Sequence, residues 1–255
     1  MRRYTTLRRY VARVPGLAIS AIVWRSVVWR SVVAWLSVVA SYNVCSAQVG
    51  HDPSRSPYRD TPRGGAVLVT GGYLGGSRGG PGVGISNGPT GGLRYERSLG
   101  GAIGVSTGIA YLRATRFVID PAKDSVTRKT GPIDAEVILA DVGLQFVLTG
   151  RKTWHGLAPF LGASLGLAFG GGPPDPGFYD FGNKIVLAPE AGLRWHPARR
   201  VSVRTDFRLA LWKLKYPTSY KVPNAIDGSS VLPLNAKLTE WTAHPWIAVG
   251  LGWTF

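Results

Sequence analysis

Eight residues carry most of the chemical potential of this sequence, and they share one arrangement. Arg94, Glu96, Asp141, Glu190, Arg194, Arg204, Asp206 and Arg208 fall on the polar side of alternating segments, four positive and four negative. Groups of that kind, if enclosed, must pair, because an unpaired buried charge is costly. They point to a charge network, not to an acid–base site. A solvated salt-bridge face is the other reading of the same residues. Other chemistry is sparse. His51, His155, His196 and His244 are scattered, and no pair has metal-ligand spacing, so no metal is expected. The glycine-rich stretch 71–84 lacks the Lys-Ser/Thr ending of a phosphate loop and the spacing of a dinucleotide fingerprint. No cofactor is expected. The only cysteine is Cys45, which the leader described below removes, leaving neither disulfide nor thiol chemistry.

The elements that hold those eight residues are short and alternate with period two. In Ile247, Val249, Leu251, Trp253 and Phe255 every second residue is large and apolar, and Ala248, Gly250, Gly252 and Thr254 lie between them. Successive side chains of a strand face opposite ways, so one face is bulky and the other small. The split recurs in Leu161, Leu165, Leu167 and Phe169 against Gly162, Ser164, Gly166 and Ala168. It recurs around residues 103–111, 138–148, 187–195 and 201–211, and more weakly over 66–74 and 84–97, giving eight segments. Short connections near 98–100, 150–156 and 196–200 alternate with longer ones near 75–83, 118–134, 170–184 and 215–239. Such alternation is expected of a membrane barrel with short turns at one end and longer loops at the other.

The chain has 255 residues and a formal charge of +16, and seven of its basic residues lie in residues 1–47, leaving +9 for the remainder. Residues 1–13 are basic, Ser31 to Ala40 form a short apolar core, and Cys45 and Ala47 are small. This is the pattern of a signal peptide over 1–47 with cleavage between Ala47 and Gln48. A membrane-anchoring helix over 17–41 is the alternative, opposed by Arg25 and Arg30. Residues 48–65 are polar and proline-rich and read as a disordered periplasmic leader or linker, ahead of a barrel over 66–255. No long apolar stretch follows residue 47, so no mature transmembrane helix is expected. The pI of 10.5 reflects in part that leader and does not call for nucleic acid.

Alternation alone does not say which face looks outward. A soluble eight-stranded barrel buries its large apolar groups, and a membrane barrel does the reverse. The small and charge-balanced character of the polar face favours an enclosed, narrow interior. Aromatics near strand ends also fit two interfacial girdles: Tyr95, Trp154, Trp195 and Trp253 at the turn side, and Tyr73, Tyr111, Phe169, Trp241 and Trp246 at the loop side. The closing run WIAVGLGWTF, with Phe255 last, resembles the C-terminal β-signal of outer-membrane proteins. The run APFLGASLGLAFG resembles a strand of the small eight-stranded outer membrane protein A and outer membrane protein W types.

The fold expected is therefore all-β: an eight-stranded antiparallel up-and-down transmembrane barrel behind an N-terminal signal segment. The resemblance implies a place in the bacterial outer membrane, with both termini periplasmic. It implies insertion by the barrel-assembly machinery, which would read Ile247, Val249, Leu251, Trp253 and Phe255. The partners expected are outer-membrane lipid and lipopolysaccharide, whose phosphates suit the basic loops. No oligomer is called for beyond the monomer. The leading functional expectation is a structural or surface-interaction barrel with a filled lumen, and no enzyme. A narrow porin-like channel is the alternative. Some small barrels modify lipid A acyl chains, but His244 is the only histidine near the loop-side rim, and no serine lies beside it on its strand.

Overall fold

The computed structural model describes residues 56–62, 64–171 and 175–255. The expected signal segment, with Cys45 and the expected cleavage pair Ala47 and Gln48, lies outside the described residues. Among the described residues ten strands occur in chain order: β1 (Tyr58–Asp60), β2 (Gly65–Leu74), β3 (Gly88–Gly100), β4 (Ile103–Ile119), β5 (Lys129–Val147), β6 (Lys152–Trp154), β7 (Leu157–Gly170), β8 (Asn183–Ala198), β9 (Val201–Lys215) and β10 (Thr239–Thr254). Eight of them form a closed antiparallel ring, β2-β3-β4-β5-β7-β8-β9-β10, and β10 returns to β2. No edge is left in the ring, so the strands at membrane depth pair only within the wall.

The stagger of the ring is legible in its register. Passing from partner to partner, Trp253 leads through Val67, Tyr95, Thr107, Val142, Leu165, Leu187 and Leu211 to Ala243, ten residues from the start on the same strand. A stagger of this kind tilts the strands and leaves an interior just wide enough for side chains to fill.

Two boundaries differ from the sequence reading. The segment 118–134 is about half strand, because β4 and β5 stay paired to Ile119↔Lys129 and the loop is confined to residues 120–128. The polar composition there marks strand that has left the apolar zone. The proline-rich leader also contains β1, which pairs with β6 from Tyr58↔Trp154 to Asp60↔Lys152. Chain that β6 would otherwise leave as a bare edge is thereby covered.

The outward face is an apolar band. On β10, Ile247, Val249, Leu251 and Trp253 are all more than half exposed, while Ala248, Thr254, His244 and Trp246 are buried inside. Large exposed apolar residues continue round the wall on β2 to β5 and β7 to β9. In water such a surface would drive association; in a bilayer it is the correct solvent.

Candidate functional site

The lumen has two storeys of different chemistry. The lower one, toward the short turns, contains the charged residues. The inward parity of β3, β5, β8 and β9 brings all eight together. Arg204 on β9 has a fully buried side chain and holds three carboxylates: Glu96 on β3, Glu190 on β8 at 3.3 Å and Asp206 at 2.6 Å. Arg208 meets Asp206 at 3.0 Å, Glu190 at 3.1 Å and Asp141 on β5 at 3.3 Å. Arg94 closes on Asp141 at 2.9 Å and donates to Ser106 Oγ at 2.8 Å. Arg194 meets Glu96 at 2.9 Å and also donates to Gln145. Gln145 in turn donates to Glu190 at 2.8 Å.

These contacts run across the axis as well as along the wall. β8 and β3, joined through Arg194 and Glu96, are four places apart in a ring of eight. β9 reaches β3 through Arg204 and β5 through Arg208. A network of this kind is stable only when every member is satisfied. Phe160 supports it from below: the Arg204 guanidinium lies 4.3 Å and the Arg194 guanidinium 5.1 Å from its ring. The ring needs the bare backbone at Gly192, where an added Cβ would stand 2.5 Å from Phe160 Cζ.

The upper storey is apolar, which the sequence reading did not anticipate. Leu74, Leu112, Val137, Leu139, Trp212 and Leu214 are buried inside the wall. Trp212 and His244 stack with ring centroids 3.8 Å apart, and Phe181 meets Trp212 edge-on at 6.0 Å. His244 Nε2 lies 3.0 Å from Thr242 Oγ1. Gly76 packs so closely on this ring that a Cβ there would fall 1.8 Å from His244 Nδ1. His244 is thus fully enclosed in the lumen and not at a lipid-facing rim. Trp246, expected in the loop-side girdle, also points inward and donates from Nε1 to Thr90 Oγ1 at 3.0 Å. Its even parity in β10, shared with Ala248 and Gly250, places it there. Its ring receives the Arg208 guanidinium at 4.9 Å and so joins the two storeys.

Loop residues roof the upper storey. Val83 and Ile85 come from the 75–87 loop, Tyr179 and Phe181 from the 175–182 segment, and Tyr220 from the short 3-10 turn at Thr218–Lys221. Burial pushes the Tyr179 and Tyr220 hydroxyls well above the usual phenol range. Arg116 fastens the 175–182 segment through two bonds to Asp175, at 2.6 and 2.8 Å. Tyr216 donates to Glu240 at 2.7 Å, and the Gly80 amide donates to the same carboxylate at 2.8 Å.

Open space is unevenly shared. The turn end has a cavity of about 470 Å³ that reaches Arg194 and Arg151 and includes Leu99, Ile103 and Val147 in its lining. Two voids flanking Arg208 and Trp246 measure about 10 Å³ each, room for one water at most. Among the described residues no group of His, Cys, Asp and Glu could hold a metal ion.

Of the five residues of the proposed β-signal, all point outward on or just past β10. Phe255 exchanges two backbone bonds with Gly65, at 3.0 and 3.2 Å, and its ring stacks on Tyr95 at 6.4 Å. The far end of the chain is therefore pinned to the first strand of the ring.

A closed ring, an apolar exterior and a filled interior with a charged lower storey decide the class. The chain is a small eight-stranded antiparallel transmembrane β-barrel. No protein-family profile and no curated protein matches it. Among solved structures it is similar to Neisserial surface protein A, at 13% identity and a TM-score of 0.46, over 75% of this chain and 97% of that one. It is also similar to Ail, the attachment invasion locus protein of Yersinia pestis, at 16% identity and a TM-score of 0.36, over 76% of this chain and 99% of that one. These likenesses concern the fold only; the class rests on the geometry of the barrel itself.

Proposed function

We propose that this barrel is a structural and surface-interaction protein of the outer membrane and not a conduit or an enzyme. Its termini and short turns face the periplasm, and its long loops face outward. The single observation that carries the reading is the ion-pair network from β9 to β3 and β5, with β8 to β3 beside it. It occupies the section of the lumen that any solute would have to pass. The aromatic storey above it is a second obstruction. Planar-bilayer recording tests this: the protein is expected to give no steady conductance, and channels of appreciable size would favour the narrow porin-like alternative instead.

The loops supply the interaction surface. Lys213 and Lys215 face outward near the loop-side rim, and Lys213 is the register partner of Trp241. A cation beside an interfacial aromatic suits the phosphates of lipopolysaccharide. The closing strand, ending at Phe255, is the natural element for recognition by the barrel-assembly machinery, and the barrel is expected to act as a monomer. Deleting Phe255 should reduce the inserted, heat-modifiable fraction severalfold in outer-membrane fractions. Undiminished insertion would count against the signal assignment and leave the fold untouched.

A further inference from the structure

The charges of the barrel divide into three zones that do not resemble one another. The lumen is balanced, four against four. The loop end carries eleven cations and eight acids among the described residues, several of them joined, as in Arg113–Asp134 and Arg116–Asp175. The turn end is different. Arg59, Arg97, Arg151, Lys152, Arg199 and Arg200 are exposed there, and the only acidic side chain among the described residues is Asp60. None of the six forms an ion pair with a described carboxylate. Among the described residues this end therefore carries a net excess of cations.

Two of these cations flank an aromatic shelf at the seam where the ring closes. Trp253, Val67 and Tyr95 are successive register partners on the outward face of β10, β2 and β3. Phe255 stacks on Tyr95 at 6.4 Å, and Trp253 and Phe255 are 54% and 66% exposed. The Arg200 guanidinium lies 5.8 Å from the Trp253 ring. Arg97 stands two residues beyond Tyr95 on the same face, while the intervening Glu96 points into the lumen. Trp and Tyr in such a belt sit at headgroup level, so the two arginines lie at the depth of lipid phosphates. Guanidinium matches phosphate geometry in a bidentate manner.

We propose that this seam is a binding site for the phosphate of an anionic phospholipid, held by Arg97 and Arg200 against the Trp253–Tyr95–Phe255 shelf. A water-borne acidic polymer would meet the cations of the turns but would have no use for the exposed apolar shelf between these two. The proposal rests on the periplasmic assignment of the turns only in naming the leaflet, the inner one.

The test uses the full barrel in nanodiscs of equal phosphatidylglycerol and phosphatidylcholine, followed by mild detergent extraction and mass spectrometry of retained lipid. Retained phosphatidylglycerol is expected to exceed phosphatidylcholine by about threefold or more, within the roughly fivefold that one interfacial cation can supply. The Arg97→Gln/Arg200→Gln variant should bring the ratio close to one, and Lys123→Gln/Lys237→Gln, in the long loops beyond the apolar band, should leave it unchanged. A wild-type ratio near one overturns the proposal, as does an unchanged ratio in the seam variant or an equal loss in the loop-end variant. Should the seam double variant fail to fold by heat-modifiable mobility, Arg200→Gln alone is read: an intermediate ratio supports the proposal and an unchanged one overturns it. Co-sedimentation with peptidoglycan sacculi in the absence of any lipid preference would assign the cations to an acidic polymer and overturn it too. Surface labelling of the turns on intact cells would reverse the orientation in the membrane but leave the lipid ratio as the measure of the site.

Discussion

The lower and upper storeys of the lumen fill the same narrow tube by opposite means. Below, four cations and four anions satisfy one another across the axis, and geometry must be close to complete for the arrangement to hold. Above, Trp212, Trp246 and His244 are packed with aliphatic side chains and roofed by loops. Charge networks fail abruptly, because each group depends on partners that have no substitute in a dry interior. Apolar packing fails gradually, because neighbours relax into a vacated volume. The two storeys should therefore respond differently to the loss of one side chain.

The sharpest test is Arg204→Ala. It takes one cation from Glu96, Glu190 and Asp206 at once and leaves Arg194 and Arg208 to hold all three, and breaking a buried pair by removing one partner costs about 3–5 kcal/mol. Unfolding by urea in lipid vesicles, followed by heat-modifiable mobility, should show a loss at the upper end of that range. Adding Glu190→Gln to the same chain should restore part of it, because one uncompensated charge is gone. Strict additivity of the two substitutions would break the picture of a coupled network. Trp212→Leu in the upper storey should cost less, about 2 kcal/mol, with the loss tied to cavity volume and not to charge. If Trp212→Leu proved the more damaging, the ceiling and not the floor would be the structural centre of the barrel.

Much of this was legible from the sequence, and the omission is instructive. Period-two alternation located the strands. The neutral balance of Arg94, Arg194, Arg204 and Arg208 against four acids singled out the floor before any contact was known. The ceiling escaped because its residues are large and apolar on both faces of the strand. In β9, Leu211 and Trp212 are neighbours of like character, yet one faces lipid and the other the lumen. Only parity counted from Arg204 and Arg208 separates them. Trp246 was misplaced for the same reason: a tryptophan near a strand end suits a girdle, but Ala248 and Gly250 fix its side as inward. The β4–β5 extension was lost to composition, since paired strand beyond the membrane is as polar as loop.

The loops offer the gentlest contrast, because their contacts are exposed or half-buried where those of the floor are enclosed. Ser125 donates its amide to Asp227 at 2.8 Å, Asn224 donates to the Lys123 carbonyl at 2.6 Å, and Arg128 donates to Ser229, so the 120–128 loop is latched to the 216–238 loop. Hydrogen bonds from Ser229 first, and then from the Ser125 and Ser229 amides, hold the Asp227 carboxyl well below the usual carboxylate range. A carboxyl lowered in the folded state stabilises it above the ordinary value of about 3.9, and the contribution is lost as pH falls below that value toward the folded one. The latch should therefore be intact at neutral and mildly acid pH and open only in stronger acid. Asp227→Asn should mimic that opening at pH 7, raising the rate of limited proteolysis in the 216–238 loop about two- to threefold, as expected where local opening rather than global unfolding exposes the chain. The heat-modifiable shift of the barrel should stay where it was, since neither storey of the lumen touches Asp227. Equal cleavage of both proteins would mean that the aromatic roof around Tyr220, and not the latch, holds the loop down.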